Sequence, residues 1–378
     1  MKEGWTYKKL GEVGTFLRGI NFAKTDFVKE GFPCIHYGQI HTTFGPVTSK
    51  HLTCIPKEIV RQDKLASQGD LIIAITSEDV EGSCKCTAWM GDYDIAVGAH
   101  AAIYKHELNP IFVSYFFKSP VFQKEKEPYV HGFKVMEIKP SDIAKIQIPI
   151  PSEDEQLSIV SRFDAAFAHI DTLKANAERQ LAEARQLFQA ELAECMKPKE
   201  GWEEKTLPDI SENLDSIRVP VTKKNRTEGK YPYYGASGIV DYVDNYLFDE
   251  DLLCVSEDGA NLLMRTYPIA FPISGKVWVN NHAHVLRFKS LITQKYVEYY
   301  FSGLKLDEYI TGAAQPKLTQ KALNSIIINI PKTIDIQRSI VSGLDALSAN
   351  IKKLEVVQRK TLAECDALKQ AMLREVFE

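Results

Sequence analysis

The sequence predicts a mixed α/β (α+β) protein: two tandem globular domains separated by two long helices that pair as an antiparallel coiled coil, with an internal pseudo-twofold repeat. Three observations predict it. Residues 332–378 carry Ile340, Leu344, Leu347, Ile351 and Leu354 at alternating four and three spacing, continued by Gln358, Thr361, Cys365, Leu368 and Met372. Residues 152–197 carry a matching row of Phe163, Ala166, Ile170, Leu173, Ala177, Ala184 and Leu187. A seam that repeats every 3.5 residues hides only against a helix with the same repeat. The third observation is duplication: Lys2-Glu3-Gly4-Trp5 is answered by Lys199-Glu200-Gly201-Trp202, and Gly132, Ile138 and Pro151 by Gly312, Leu318 and Pro331. Past the proline, Gln156, Ile159, Val160, Asp164 and Leu173 meet Gln337, Ile340, Val341, Asp345 and Leu354. The ends of each half repeat and the middles do not, as in a shared scaffold carrying two different readers.

Four segments follow: globular domains over 1–151 and 198–331, and helices over 152–197 and 332–378. In the first domain 31–40 and 70–76 read as strands, being short apolar runs bounded by glycine and aspartate. Residues 110–127 read as a helix started at Pro110 and interrupted near Pro120. The prolines of IQIPIP confine it to an edge strand or extended arm. The second domain repeats this order at 231–235, 251–256 and 278–288, followed by a helix near 293–304. Ser152 with Glu155 makes a capping-box pattern, and Asp335 suits a first helical turn. At about 1.5 Å per residue, 40 helical residues extend roughly 60 Å. The seam is weak where Ala177 faces the region of Gln358 and Thr361; such positions fix register, or the helices fray there toward solvent.

Of 378 residues, 44% are hydrophobic and 25% charged, ordinary globular composition. No apolar run reaches the roughly 18 residues that span a membrane, and the N-terminus lacks a signal-like apolar stretch. Seven scattered cysteines suit a reducing cytoplasm better than a disulfide framework. The formal net charge is −4, with no strongly basic segment, which counts mildly against tight unaided DNA binding.

The repeated IPIPSEDEQLSIV and INIPKTIDIQRSIV segments, the tandem duplication, the paired seam helices, YPYYGASGIVDYVDNYLF at 231–248 and VWVNNHAHVLR at 277–287 together resemble the specificity subunit of type I restriction–modification systems. The likeness covers nearly the whole chain, with a one-residue insertion between Pro331 and Gln337. It implies two target-recognition domains held apart by two conserved helices and reading a two-part double-stranded DNA target. It also implies methyltransferase (modification) subunits, expected as two, docked on the helices, and nuclease–translocase subunits joining them. The chain itself then binds no cofactor; S-adenosylmethionine and ATP with magnesium belong to the partners. Physics suits this use, because two readers on one face of B-DNA stand roughly 34 Å or a multiple apart, and a helical spacer fixes such a distance where a Gly/Ser linker does not.

No phosphate-binding glycine loop, methyltransferase signature or nuclease carboxylate pattern occurs. Ser256-Glu257-Asp258-Gly259 reads as a turn before it reads as a metal site. Cys84 and Cys86, with His51 and Cys54, lack the usual zinc spacing. His282 and His284 alternate along a predicted strand and so share a face, but no third ligand is evident. Side chains that form hydrogen bonds to base edges and phosphates are the better reading. In the second domain these are Tyr234, Ser237, Lys276, Asn280, Asn281, His282 and Lys317; Tyr233-Tyr234-Gly235 reads equally as core plus turn. In the first they are His36, Tyr37, Gln39, Thr76, Ser77, Lys85 and Lys134, with His41 and Thr42 nearby and Arg18 and Lys24 as phosphate anchors; each reads equally as a solvated loop residue. Gln156 and Gln337, at the helix starts, are the expected docking points. A coiled-coil adaptor that never meets DNA, a free-standing nuclease or methyltransferase, and a methylation-only system are the rivals.

Overall fold

A computed structural model describes residues 2–312 and 315–378. The chain divides into two compact units, residues 1–177 with 359–378, and residues 178–358. Each helix therefore contributes one part to each unit.

In both units the first strand closes against the last. Thr6–Lys9 pairs antiparallel with Gln147–Ile150, and Trp202–Thr206 with Ile327–Pro331. These two-stranded pairs accommodate the IPIP-type prolines at an edge. Inside the first unit a five-stranded sheet runs Gly14–Arg18, Ala101–His106, Leu71–Ala74, Cys86–Trp89, Val47–Thr48. A four-stranded sheet holds Phe32–Ile35 parallel to Ile95–Val97. The second unit repeats the scheme: Ala283–Phe288 lies between Ser211–Asn213 and Leu252–Ser256, and Glu228–Gly235 runs parallel to Lys276–Val279. The helices Pro110–Lys118 and Pro120–Lys126 break where Pro120 predicts, and their counterpart is Leu291–Gly303.

Two strand readings change. The segment 31–40 is strand only to Ile35; Tyr37–Thr42 is helical, because the Gln39 side chain folds back to accept the His36 N–H and starts a helical turn. The run 278–288 is two strands, broken by a turn at 280–282 in which Asn280 Oδ1 accepts the His282 N–H at 2.8 Å. His282 and His284 therefore do not share a face: His282 is exposed in the turn and His284 is fully buried in the strand.

The long helices span Glu153–Cys195 and Ile334–Phe377. Their pairing is antiparallel within each unit. Asp171 meets Lys369 and Lys174 meets Asp366 in the first; Gln180 meets Gln358 and Arg185 meets Glu355 in the second. The helices continue unbroken past Gln358, whose Nε2 donates to Gln180 at 2.6 Å, so the polar seam position is bonded, not frayed.

The seam is only half the predicted one. Phe163, Ile170 and Ala177 are buried, as are Leu344, Gln358 and Cys365, and Ile351 is half-buried. The second column lies one residue further along, at Val160, Phe167, Lys174, Leu181 and Phe188. Leu173, Leu187 and Leu368 are instead more than half exposed, and Leu347 and Leu354 are half-buried flanking positions. Lysine explains the shift: its methylene stem covers apolar surface while the ammonium stays wet. Lys369 lies 5.2 Å from the Phe167 ring centre while its Nζ reaches Asp171.

Both helix starts are bound into the globular cores. Phe163 stacks on Phe167 and meets Tyr115 and Phe377. Tyr115 donates to Asp164, and Tyr299 to Asp345, each at 2.5 Å, a repeated bond the sequence pattern did not suggest. Ser152 Oγ accepts the Glu155 N–H, but the Glu155 carboxylate takes the Trp5 indole N–H and does not close the capping box.

Candidate nucleic-acid interface

In each unit four chain segments converge beside the ends of the central strands, and the same backbone bonds assemble them. In the first, Ile75 N–H donates to His100 O and Ile138 N–H to Ile75 O, both at 3.0 Å. In the second, Glu257 N–H donates to His282 O at 2.9 Å and Leu318 N–H to Glu257 O at 2.7 Å. His131 pairs with Glu137 across a tight reversal, as Thr311 bridges to Lys317. Glu137 then pairs with Thr76, as Lys317 does with Asp258. Gly132 and Gly312 both sit at positive φ in these reversals, and an added Cβ would lie 2.0 Å from Val135 O or 2.5 Å from Gln315 O. Only glycine fits such positions.

In the first unit a cleft of about 560 Å³ opens among Tyr37, His41, Ser77, Lys85, His100 and Val135. Tyr37 and Lys85 are exposed there and Ser77 is half-buried, while Lys134 is exposed in the adjoining reversal. Lys24 is exposed on a short helical turn, Lys24–Asp26. His36 is half-buried and held below its ordinary pKa by burial and by the Lys24 charge. Three of these side chains are taken up by burial or pairing. Gln39 is 6% exposed and committed to His36 and Thr53. Thr76 is 5% exposed, although its backbone carbonyl holds His41 Nε2 at 2.9 Å. Arg18 is committed to Glu137 and the Ala99 carbonyl, so it braces the reversal more than it offers a free phosphate anchor.

In the second unit Ser237, Asn281, His282 and Lys317 are exposed in the loop cluster, and Tyr234 is half-buried, stacked near Phe271. Asn280 is buried and spent on the turn. Lys276 begins the strand whose far end leads into the cluster, and its ammonium lies over Tyr246. It is not brought to the site.

Beneath this cluster lies a charged core that sequence reasoning missed. His284 Nδ1 faces Asp215 at 2.5 Å and its Nε2 faces the Leu318 carbonyl at 2.8 Å. Arg218 pairs with Glu257 at 2.7 Å and with Asp215 at 3.2 Å, and Lys317 with Glu257 at 3.1 Å. Burial pushes both carboxyls up, but the bonds and charges of His284, Arg218 and, for Glu257, Lys317 outweigh it and hold both below the usual carboxylate range. Asp215, Glu257 and His284 are the one group spaced for a metal ion among the described residues; Arg218 and Lys317 already supply its positive charge. Cys84 and Cys86 are buried in the apolar core, where burial raises their thiols to about 12 and about 11. Such thiols are poor metal ligands.

Gln156 and Gln337 are also buried, at 4% and 6% exposure. Gln156 Nε2 donates to Pro151 O and its Oε1 accepts the Asn109 N–H; Gln337 bonds Pro331 O and the Thr293 hydroxyl. They tie each helix to its own domain and are not open to a partner. Among the large apolar side chains that the helices expose are Leu173, Leu187 and Leu368, together with Leu157, Val356 and Val357.

The family model for the type I restriction modification DNA specificity domain matches residues 2–183 and again 199–362. The chain belongs to that family. It carries two copies of the domain, one for each unit's loop cluster. It is 23% identical to the type I restriction enzyme EcoKI specificity subunit of Escherichia coli, over 100% of this chain and 89% of that protein. It is 34% identical to a Haemophilus influenzae protein named, provisionally, as a type I restriction enzyme specificity subunit, over 38% of this chain and 37% of that protein. A chain from a solved type I R-M system matches its fold at a TM-score of 0.78 and 17% identity, covering 99% of this chain and 97% of that one. No described helix is long and apolar enough to cross a membrane.

Proposed function

We propose that this chain is the non-catalytic DNA-reading subunit of a type I restriction–modification complex, binding double-stranded DNA with one half-site per recognition domain. The observation that carries the proposal is the repeated loop cluster: two copies of one backbone frame present different side chains. Tyr37, Ser77, Lys85 and Lys134 stand on one, and Ser237, Asn281, His282 and Lys317 on the other. Exposed hydroxyl, amide, imidazole and ammonium groups suit base edges and phosphates. The near-neutral charge fits a reader whose partners add phosphate contacts. Two methyltransferase subunits dock along the helix flanks marked by Leu173, Leu187 and Leu368, and nuclease–translocase subunits join that assembly. S-adenosylmethionine and ATP with magnesium are bound by those partners, in the cytoplasm.

The test is single-molecule methylome sequencing of cells with and without this gene. Loss of one bipartite methylated motif on deletion is expected. Deletion that leaves every methylated motif intact rejects the reading. Methylation by the purified chain alone would refute its non-catalytic role.

A further inference from the structure

We propose that His100 and His282 are equivalent contacts to the DNA sugar–phosphate backbone, one in each recognition domain. The inference rests on the DNA-reading role proposed above and assigns one contact that both half-sites share.

The equivalence comes from the backbone. His100 O accepts the Ile75 N–H and His282 O the Glu257 N–H. The next residues, Ala101 and Ala283, begin strands that pair with Ala74 and Ser256 in the same register. Val97 and Val279 end the preceding strands, so the motif Val-x-x-His-Ala stands at one structural place in both units. Around it the side chains differ: Gly98-Ala99 against Asn280-Asn281, and Thr76 against Asp258.

Neither imidazole is needed for packing. Both residues are exposed. Among the described residues His100 touches only aromatic neighbours by ring contact, tilted against Tyr37 at 5.1 Å, and its ring nitrogens make no hydrogen bond. His282 Nδ1 is fixed by Asp258 at 2.8 Å, which leaves Nε2 as its free polar atom. A phosphate oxygen at Nε2 would complete a carboxylate–imidazole–phosphate chain with both ring nitrogens donating. Lys85 lines the cleft beside His100; in the second unit the Lys317 backbone bridges Asp258, and its ammonium is held by Glu257 at 3.1 Å. Glu78 and Asp79 border the first cleft too, which disfavours loose attraction of DNA and favours a discrete contact. Two domains that read different bases have the phosphodiester backbone in common, so a side chain kept at the same exposed place in both suits that common feature.

The test uses the chain assembled with its methyltransferase subunits and His100→Ala, His282→Ala and the corresponding His→Lys variants. Affinities are measured on the cognate duplex and on duplexes scrambled in either half-site, across a salt series. Each alanine variant is expected to lose about tenfold on all duplexes alike and to flatten the slope of log affinity against log salt by up to about one. The methylated motif stays unchanged, and the lysine variants regain affinity. Unchanged affinity and slope overturn the proposal, as does an altered motif, which would make the histidines base readers. A lysine variant that melts like the wild type yet regains nothing also counts against it. Failure of the wild-type complex to prefer its cognate duplex would instead sink the DNA-reading role itself.

Discussion

Replacing Arg218 with Met tests whether the charged core of the second unit is an ion-pair network and not a vacant metal site. The guanidinium is 11% exposed and pairs with Asp215 and Glu257, which are 7% and 12% exposed. Arg218→Met keeps most of the stem and removes the charge, leaving two carboxylates with His284 and Lys317. Removing one partner of a buried pair costs about 3–5 kcal/mol. For a unit of this size each kcal/mol moves Tm by about 2–4 °C, so the expected fall is about 6–20 °C in the transition of the second unit. The pH dependence has a definite sign. Both carboxyls are held below their ordinary range, so their stabilisation is fully present above that range and disappears as pH falls through their lowered folded values. Protonation also relieves the uncompensated charge in the variant, so the gap to wild type narrows on acidification. Differential scanning calorimetry between pH 7 and acid conditions reads both effects. An unchanged Tm at neutral pH, or a gap that widens toward acid, would refute the network; stabilisation of the wild type by added zinc and its loss to a chelator would favour a metal.

Phe163→Ala removes a fully buried ring from against Tyr115, Phe167 and Phe377. It should cost about 3–5 kcal/mol, measured by denaturant unfolding; a loss below 1 kcal/mol would contradict the packing. Leu173→Glu with Leu187→Glu should leave Tm nearly unchanged, because both residues face outward, while weakening co-purification with methyltransferase subunits. A large drop in helicity would instead return these leucines to the seam. Exchanging residues 200–330 for another recognition domain should alter one half of the methylated motif and leave the other, read by methylome sequencing.

Chain order, duplication and helix pairing are written in local pattern. Proline placement fixes the edge strands at 147–150 and 327–331, and two copies of one motif series fix two domains. The first seam column, from Phe163 to Ala177 and from Leu344 to Cys365, is equally local, since a 3.5-residue period needs no knowledge of the partner. The second column is not: residues three and four positions on both satisfy the period, and only the facing helix decides that Lys174 and Phe188 go inward while Leu173 and Leu187 stay out. The interface divides along the same line. Residue type marked Lys85, Ser237, Asn281 and His282 as polar groups for DNA, but Gln39, Thr76, Asn280 and Gln156 carry the same chemistry and are consumed by turns and cores. The repeated Val-x-x-His-Ala could have revealed His100, because it is visible once the halves are aligned. Asp215, Arg218 and His284 could not be found that way, since the short turn that carries Asp215 and Arg218 meets His284 and Glu257 only through contacts distant in sequence. Hydrogen-bonding capacity belongs to the residue; whether it is spent inside or left for a ligand is decided by which neighbours the fold brings within 3 Å.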